Sequence, residues 1–291
     1  MLRDLLIPLL LGATLLAKDP FDYGPLEATL INKTSYEEHD GTETRLYEDL
    51  ILTSTAGEIH LTTSRPNREG TFPCLFIISG LETGRKSLKL IPGHGDYVMI
   101  SYEYPAVIKN IKDYRALFKL PSIRKGLFSV PTQVNAALNY LQMQHYCQST
   151  PVSLFGFSFG SFFLGPIIEQ GQAQDRTYGP SVFGYGGAGL QCVIKANVKG
   201  PSWFSSLVAY LGAKAFHPLE PALHLPHITG KFLIINGLFD SQIPNPCADC
   251  LQQLVPEPKD ILLLDTEHLQ PTNRALIIKL ISLSRDWLSQ Q

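Results

Sequence analysis

The sequence is short of charge. Asp, Glu, Lys and Arg make up 17% of its 291 residues, against roughly 25% in a typical soluble domain. Neither sign dominates: 24 Lys and Arg against 26 Asp and Glu leave a net charge of -2. There is no basic field for a phosphate backbone and no acidic tail, so nucleic acid is not an expected partner. No apolar run approaches the ~20 residues that span a bilayer, which excludes a polytopic membrane protein. Cysteine is scarce and odd in number: Cys74, Cys147, Cys192, Cys247 and Cys250. They give no even framework, and a chain this long needs no disulfide staples, so buried free thiols are the expectation. Cys247-Ala-Asp-Cys250 is a CxxC pair. It is half a zinc site with no His at ligand spacing, and in an exported protein it would close a local disulfide.

Hydrophobic residues, at 44%, exclude low-hydropathy disorder and supply a sizeable core. The length suits one larger α/β domain. Residues 1–17 carry Arg3, then an apolar run from Leu5 to Leu16 broken by Pro8 and Gly12, then Ala17 before Lys18-Asp19. This is the shape of a secretory signal, and it favours export. Asp4 and Leu15 fit that shape poorly, so an uncleaved anchor, associating the chain weakly with a membrane, and a packed terminal segment stay open. Residues 18–45 read as an extension ahead of the main domain.

From residue 47 the pattern is hairpin first, then strands alternating with helices. Residues 47–55 and 58–64 flank Ala56-Gly57 and read as an antiparallel hairpin. Residues 72–79 and 97–102 are short apolar runs bounded by Gly and Pro, as in strands buried on both faces of a parallel sheet. Val130, Val134, Leu138 and Leu141 recur at helical spacing behind Ser129 and Pro131, predicting a helix that starts there. Runs at 152–157, 181–185, 232–236 and 261–264 add four strands. A final helix places Leu276, Leu280, Leu283 and Trp287 on one face. The predicted class is α/β: a mostly parallel central sheet with an antiparallel N-terminal hairpin and helices on both faces. Residues 107–125 are basic and read as a solvated surface segment. Residues 186–230, with an apolar helix over 203–216, read as a cap over a pocket that the loop Tyr102-Glu103-Tyr104-Pro105 also lines.

Gly156-Phe157-Ser158-Phe159-Gly160 is a GxSxG pentapeptide. In a chain with 23 Gly it is a weak signal alone, but here it follows a predicted strand and opens a helix. A nucleophile elbow needs that setting, with glycine on both sides for close backbone packing. On these residues the sequence resembles the α/β-hydrolase superfamily, in its serine-nucleophile branch of esterases, lipases and peptidases. That resemblance implies the chain order Ser, acid, His. Gly237-Leu238-Phe239-Asp240-Ser241-Gln242-Ile243-Pro244 is similar to the acid loop, with Asp240 in the acid position, and His268 falls after the next strand. Ser79-Gly80-Leu81 ends the strand where many members carry His-Gly. The resemblance implies Leu81 N–H, within one position, and Phe159 N–H as oxyanion donors, which being backbone groups tolerate the changed side chain. It implies a serine hydrolase acting on a small-molecule ester, with an amidase, an acyltransferase or a non-catalytic binding member as alternatives. No metal or organic cofactor is expected. Taken singly, Ser158 could be a turn serine, Asp240 a helix cap and His268 a loop histidine, and Asp265 and Glu267 are rival acids.

Overall fold

The structure is a computed structural model and describes residues 19–40, 43–109, 119–147 and 151–291. Residues 1–17 and the middle of the basic segment, 110–118, lie outside the described residues.

Among the described residues nine strands form one sheet: β1 (Ala28–Asp40), β2 (Glu43–Ser54), β3 (Gly57–Pro66), β4 (Cys74–Ile78), β5 (Val98–Glu103), β6 (Ser153–Phe157), β7 (Ser181–Gly184), β8 (Phe232–Gly237) and β9 (Lys259–Leu264). Their order is β1-β2-β3-β5-β4-β6-β7-β8-β9. Pairings from β1 to β5 are antiparallel, and those from β5 to β9 are parallel. The helices are α1 (Leu120–Gln142), α2 (Ser161–Gln172), α3 (Leu190–Asn197), α4 (Ser202–Ala215), α5 (Pro221–His224), α6 (Asn245–Leu254) and α7 (Arg274–Leu288). The mostly parallel sheet with an antiparallel N-terminal part is the predicted one.

Alternation along the strands divides the core. Cys74, Phe76 and Ile78 of β4 join the cluster beneath α1 and α2, to which Val134, Leu138, Phe163 and Ile167 belong. Leu75 and Ile77 face the other way, into a second cluster with Leu276, Leu280 and Trp287 of α7. Both faces of the parallel half are therefore covered, which explains why its strands read as unbroken apolar runs.

Three local expectations are corrected. The segment 18–45 is no appendage, because residues 28–40 pair along β2 as the edge strand β1. Its side chains are mostly exposed, so no apolar alternation marked it in the sequence. Helix α1 starts at Leu120, with Pro121 in its first turn, and Pro131 sits inside it. Proline fits a first turn and costs a hydrogen bond in the interior. Here Ile123 and Leu127 before Pro131, and Val134 and Leu138 after it, bury one continuous face, and that burial outweighs the lost bond.

The cysteines are the third correction. Cys74 pairs with Cys147 and Cys192 with Cys247, while Cys250 is free. The two members of the CxxC face different surroundings along α6. Cys247 is buried against α3, and Cys250 packs against the main core. The Cys192–Cys247 bridge ties α3 to α6 across 55 residues of chain.

Candidate active site

Strand register brings the site together. Ile78 of β4 pairs with Gly156 of β6, so the Ser79-Gly80-Leu81 loop and the Ser158 turn leave the sheet side by side. Gly237 of β8 pairs with Leu264 of β9, so Asp240 and His268 leave together, with β7 between the two pairs. All four loops lie at strand C-termini around the reversal in strand order, where open α/β sheets bind ligands.

Ser158 follows β6 in a left-handed conformation, φ 53°. For a residue with a Cβ this stores about 1–3 kcal/mol, held in place by its surroundings. Its flanking glycines show how tight they are. A Cβ on Gly160 would sit 1.8 Å from the Ile78 carbonyl oxygen, and one on Gly156 would sit 2.6 Å from Leu164 and 2.9 Å from the Ser161 backbone. The Ser161 hydroxyl donates to the Ser158 carbonyl at 2.8 Å. The close packing expected of GxSxG is present at both glycines.

Ser158 Oγ lies 2.7 Å from His268 Nε2, and His268 Nδ1 lies 2.7 Å from Asp240 Oδ2. An Nδ1–H donating to the carboxylate leaves Nε2 free to accept from the serine hydroxyl. The other carboxylate oxygen, Asp240 Oδ1, accepts the backbone N–H groups of Gln242 and Ile243, each at 2.8 Å. Asp240 thus caps its own loop and not α6, whose N-cap is Pro244. The two side chains are 1% and 6% exposed, so water does not screen their pairing. Asp265 and Glu267 are both exposed, and the His268 ring is held by Asp240 instead.

Leu81 and Phe159 border the same cavity as Ser158 and His268. Among the described residues the Leu81 N–H donates to no protein acceptor. The loop behind it is fixed: Ser79 Oγ donates to the Gly84 carbonyl at 2.9 Å, and the buried Tyr104 hydroxyl donates to the Ser79 carbonyl at 2.7 Å. Tyr104 also packs edge to face on Phe159. The stretch 102–105 therefore supports the site from behind, and it does not line the cavity as expected.

Tyr185 was missed in the sequence. It follows β7 at φ 53°, its ring stands perpendicular to His268 at 5.8 Å, and its hydroxyl bonds Thr266. Burial, with the Asp240 charge adding to it, pushes the phenol above its ordinary value, so it stays neutral beside the histidine. The signal that could have found it is the cluster Gly184-Tyr185-Gly186-Gly187 at a strand end. Val193 and Ile194 of α3 and Val208 and Leu211 of α4 wall a cavity of about 950 Å³ beside Ser158. Among the described residues no group of three or more His, Cys, Asp or Glu could hold a metal ion.

Solved structures share this architecture. The acetyl xylan esterase of Paenibacillus sp. R4 is similar at 15% identity over 92% of each chain, with a TM-score of 0.63. Acetyl xylan esterase 1 of Thermoanaerobacterium sp. JW/SL YS485 is similar at 13% identity over 88% of this chain and 87% of that one, with a TM-score of 0.60. A cold-adapted esterase from an Arctic intertidal metagenomic library is similar at 12% identity over 89% and 99%, with a TM-score of 0.63. The chain has the α/β-hydrolase fold. No protein-family model and no curated protein sequence matches it.

Proposed function

We propose that this chain is a serine hydrolase that cleaves a carboxylic ester through Ser158, His268 and Asp240. The observation that carries the reading is the unbroken relay from Ser158 Oγ to His268 to Asp240, with 2.7 Å at each step, on a serine held at positive φ. Ser158 Oγ attacks the ester carbonyl carbon as its proton passes to His268 Nε2, and the carbonyl electron pair moves onto oxygen, facing the Leu81 and Phe159 N–H groups. Collapse expels the alcohol oxygen, which takes the proton from Nε2. Water then repeats both steps on the acyl-enzyme, releasing the acid and restoring Ser158. Asp240 keeps Nδ1 protonated and stabilises the imidazolium, and each oxyanion donor supplies on the order of 3 kcal/mol in the transition state. Esterase neighbours on the same fold support an ester in preference to an amide.

We also infer that residues 186–230 cap the catalytic unit, expected to begin at residue 46 but taking in the edge strand β1 as well, and that the chain is exported. Two disulfides suit an oxidising compartment, and among the described residues no helix is long and apolar enough to cross a membrane. The decisive test is a fluorophosphonate probe on the parent and on Ser158→Ala. Labelled parent and unlabelled, folded variant is the expected result. Undiminished labelling of the variant would remove Ser158 as nucleophile, and an unlabelled parent would make this a non-catalytic member of the fold.

A further inference from the structure

Helix α4 carries its large apolar side chains outward. Trp203, Phe204, Leu207, Tyr210 and Leu211 are 70, 41, 49, 45 and 55% exposed, while only Ser205 and Ala209 of the helix are buried. Their spacing puts them on one helical face. Leu211 belongs both to this exposed stripe and to the wall of the cavity beside Ser158, so the outer patch and the cavity are continuous. Residues 190–219 contain Lys195, Lys199 and Lys214, all exposed, and no Asp or Glu. The Lys214 ammonium lies 4.6 Å above the Tyr210 ring. A face of tryptophan, tyrosine and leucine fringed by lysine suits the boundary between lipid headgroups and acyl chains, with cations that favour anionic lipid.

The cavity repeats this chemistry inside. At about 950 Å³ it lies at the upper end of the ~300–1,000 Å³ typical of small-molecule sites. Its described lining contains no Lys or Arg, and Glu82 is its one acid. Val193, Ile194, Leu90, Ile91 and Ile277 are among its apolar walls. An acetyl group would leave most of this surface uncovered, and a sugar leaving group would turn its hydroxyls toward hydrocarbon. A long acyl chain covers it.

We propose that the chain works at a lipid surface: α4 docks on anionic lipid, and the substrate is a lipid ester with an acyl chain of about eight carbons or more, in keeping with the size and apolar walls of the cavity. The substrate half rests on the reading of Ser158 as nucleophile, and the docking half does not.

Docking is therefore read on full-length Ser158→Ala protein with phosphatidylcholine vesicles, with and without phosphatidylglycerol. The protein should float with the anionic vesicles. Adding Trp203→Ser and Leu207→Ser should cut partitioning at least about tenfold, since each removes a large apolar contact with lipid. Both side chains are exposed and outside the cavity lining, so folding is not at stake. Unchanged partitioning of the triple variant, or no binding by its parent, would overturn the docking surface. The substrate half is read on p-nitrophenyl esters from acetate to palmitate. With Ser158 intact, kcat/KM should rise at least about tenfold from acetate to octanoate. Trp203→Ser/Leu207→Ser should lower the rate on emulsified trioctanoylglycerol while leaving monomeric p-nitrophenyl butyrate unchanged. Acetate as the best substrate, with Ser158 still labelled by fluorophosphonate, would overturn the long-chain assignment and leave the hydrolase standing. Vesicle binding with no labelling and no ester hydrolysis would instead remove the hydrolase, and the substrate with it.

Discussion

Ser158 is held from several sides, whereas α4, on the wall of the same cavity, leaves its large side chains uncovered. The serine turn sits at positive φ, its next-but-one glycine touches the end of β4, and its hydroxyl is held by a histidine that is itself held by a buried aspartate. Helix α4 buries two small side chains and leaves five large ones facing out. The difference teaches where rigidity is needed. A reacting oxygen must be held in one place before substrate arrives, whereas a wall that admits an apolar chain is served by apolar surface free to meet it. The Cys192–Cys247 bridge links the two regions, since it joins α3, on the cavity wall, to the helix that follows the Asp240 loop.

The rigid side of this contrast breaks hardest at Asp240. Asp240→Asn should leave the fold intact and lower kcat by about 10⁴, because an amide no longer fixes the imidazole tautomer that accepts from Ser158. Steady-state kinetics on a model ester checks this, and a loss under about tenfold would mean that the relay does not run through this carboxylate.

Gly160→Ala comes next. The added methyl meets the Ile78 carbonyl, a backbone atom that cannot swing aside. The end of β4 and the Leu81 loop must move together, so both stability and kcat should fall, with about 4 kcal/mol or more lost in a denaturant titration, the size reserved for backbone and packing violations. A variant as stable as the parent would show that the elbow is looser than its geometry.

The bridge between the two regions should count for less. Replacing Cys192 and Cys247 together by alanine should cost about 2–4 kcal/mol, as closing a loop of this length does, and should loosen α3 more than the Asp240–His268 pairing. Faster amide exchange in α3 with kcat on a short ester little changed is the expected pattern. The smallest effect is expected at Asp265, exposed and next to the histidine only in sequence. Asp265→Asn should change kcat less than about tenfold, and a loss matching that of Asp240→Asn would reverse the roles of the two acids.

How much could be read in advance depended on the kind of signal. The parallel strands were legible because burial on both faces leaves short apolar runs between Gly and Pro, and β4 to β8 fall within a residue or two of those runs. The elbow was legible because two glycines and a serine at fixed spacing have few other uses after a strand. Strand β1 was hidden because an edge strand with exposed side chains carries no apolar rhythm. The start of α1 was hidden because Pro131 resembles a helix start, and only packing reveals that the helix runs through it.

By itself the sequence determined the α/β class and the succession of strands from β2 onward, and it offered Ser158, His268 and three rival acids as candidates, because those depend on local periodicity and on short motifs with few alternatives. Tertiary structure alone decided which carboxylate reaches His268, which cysteines pair, and that Tyr185 stands against the histidine ring. Each of those is a contact between segments far apart in the chain, fixed by strand register and helix packing. Asp240 and His268 meet because Gly237 pairs with Leu264, and Cys247 meets Cys192 and not Cys250 because α6 turns its buried side to α3.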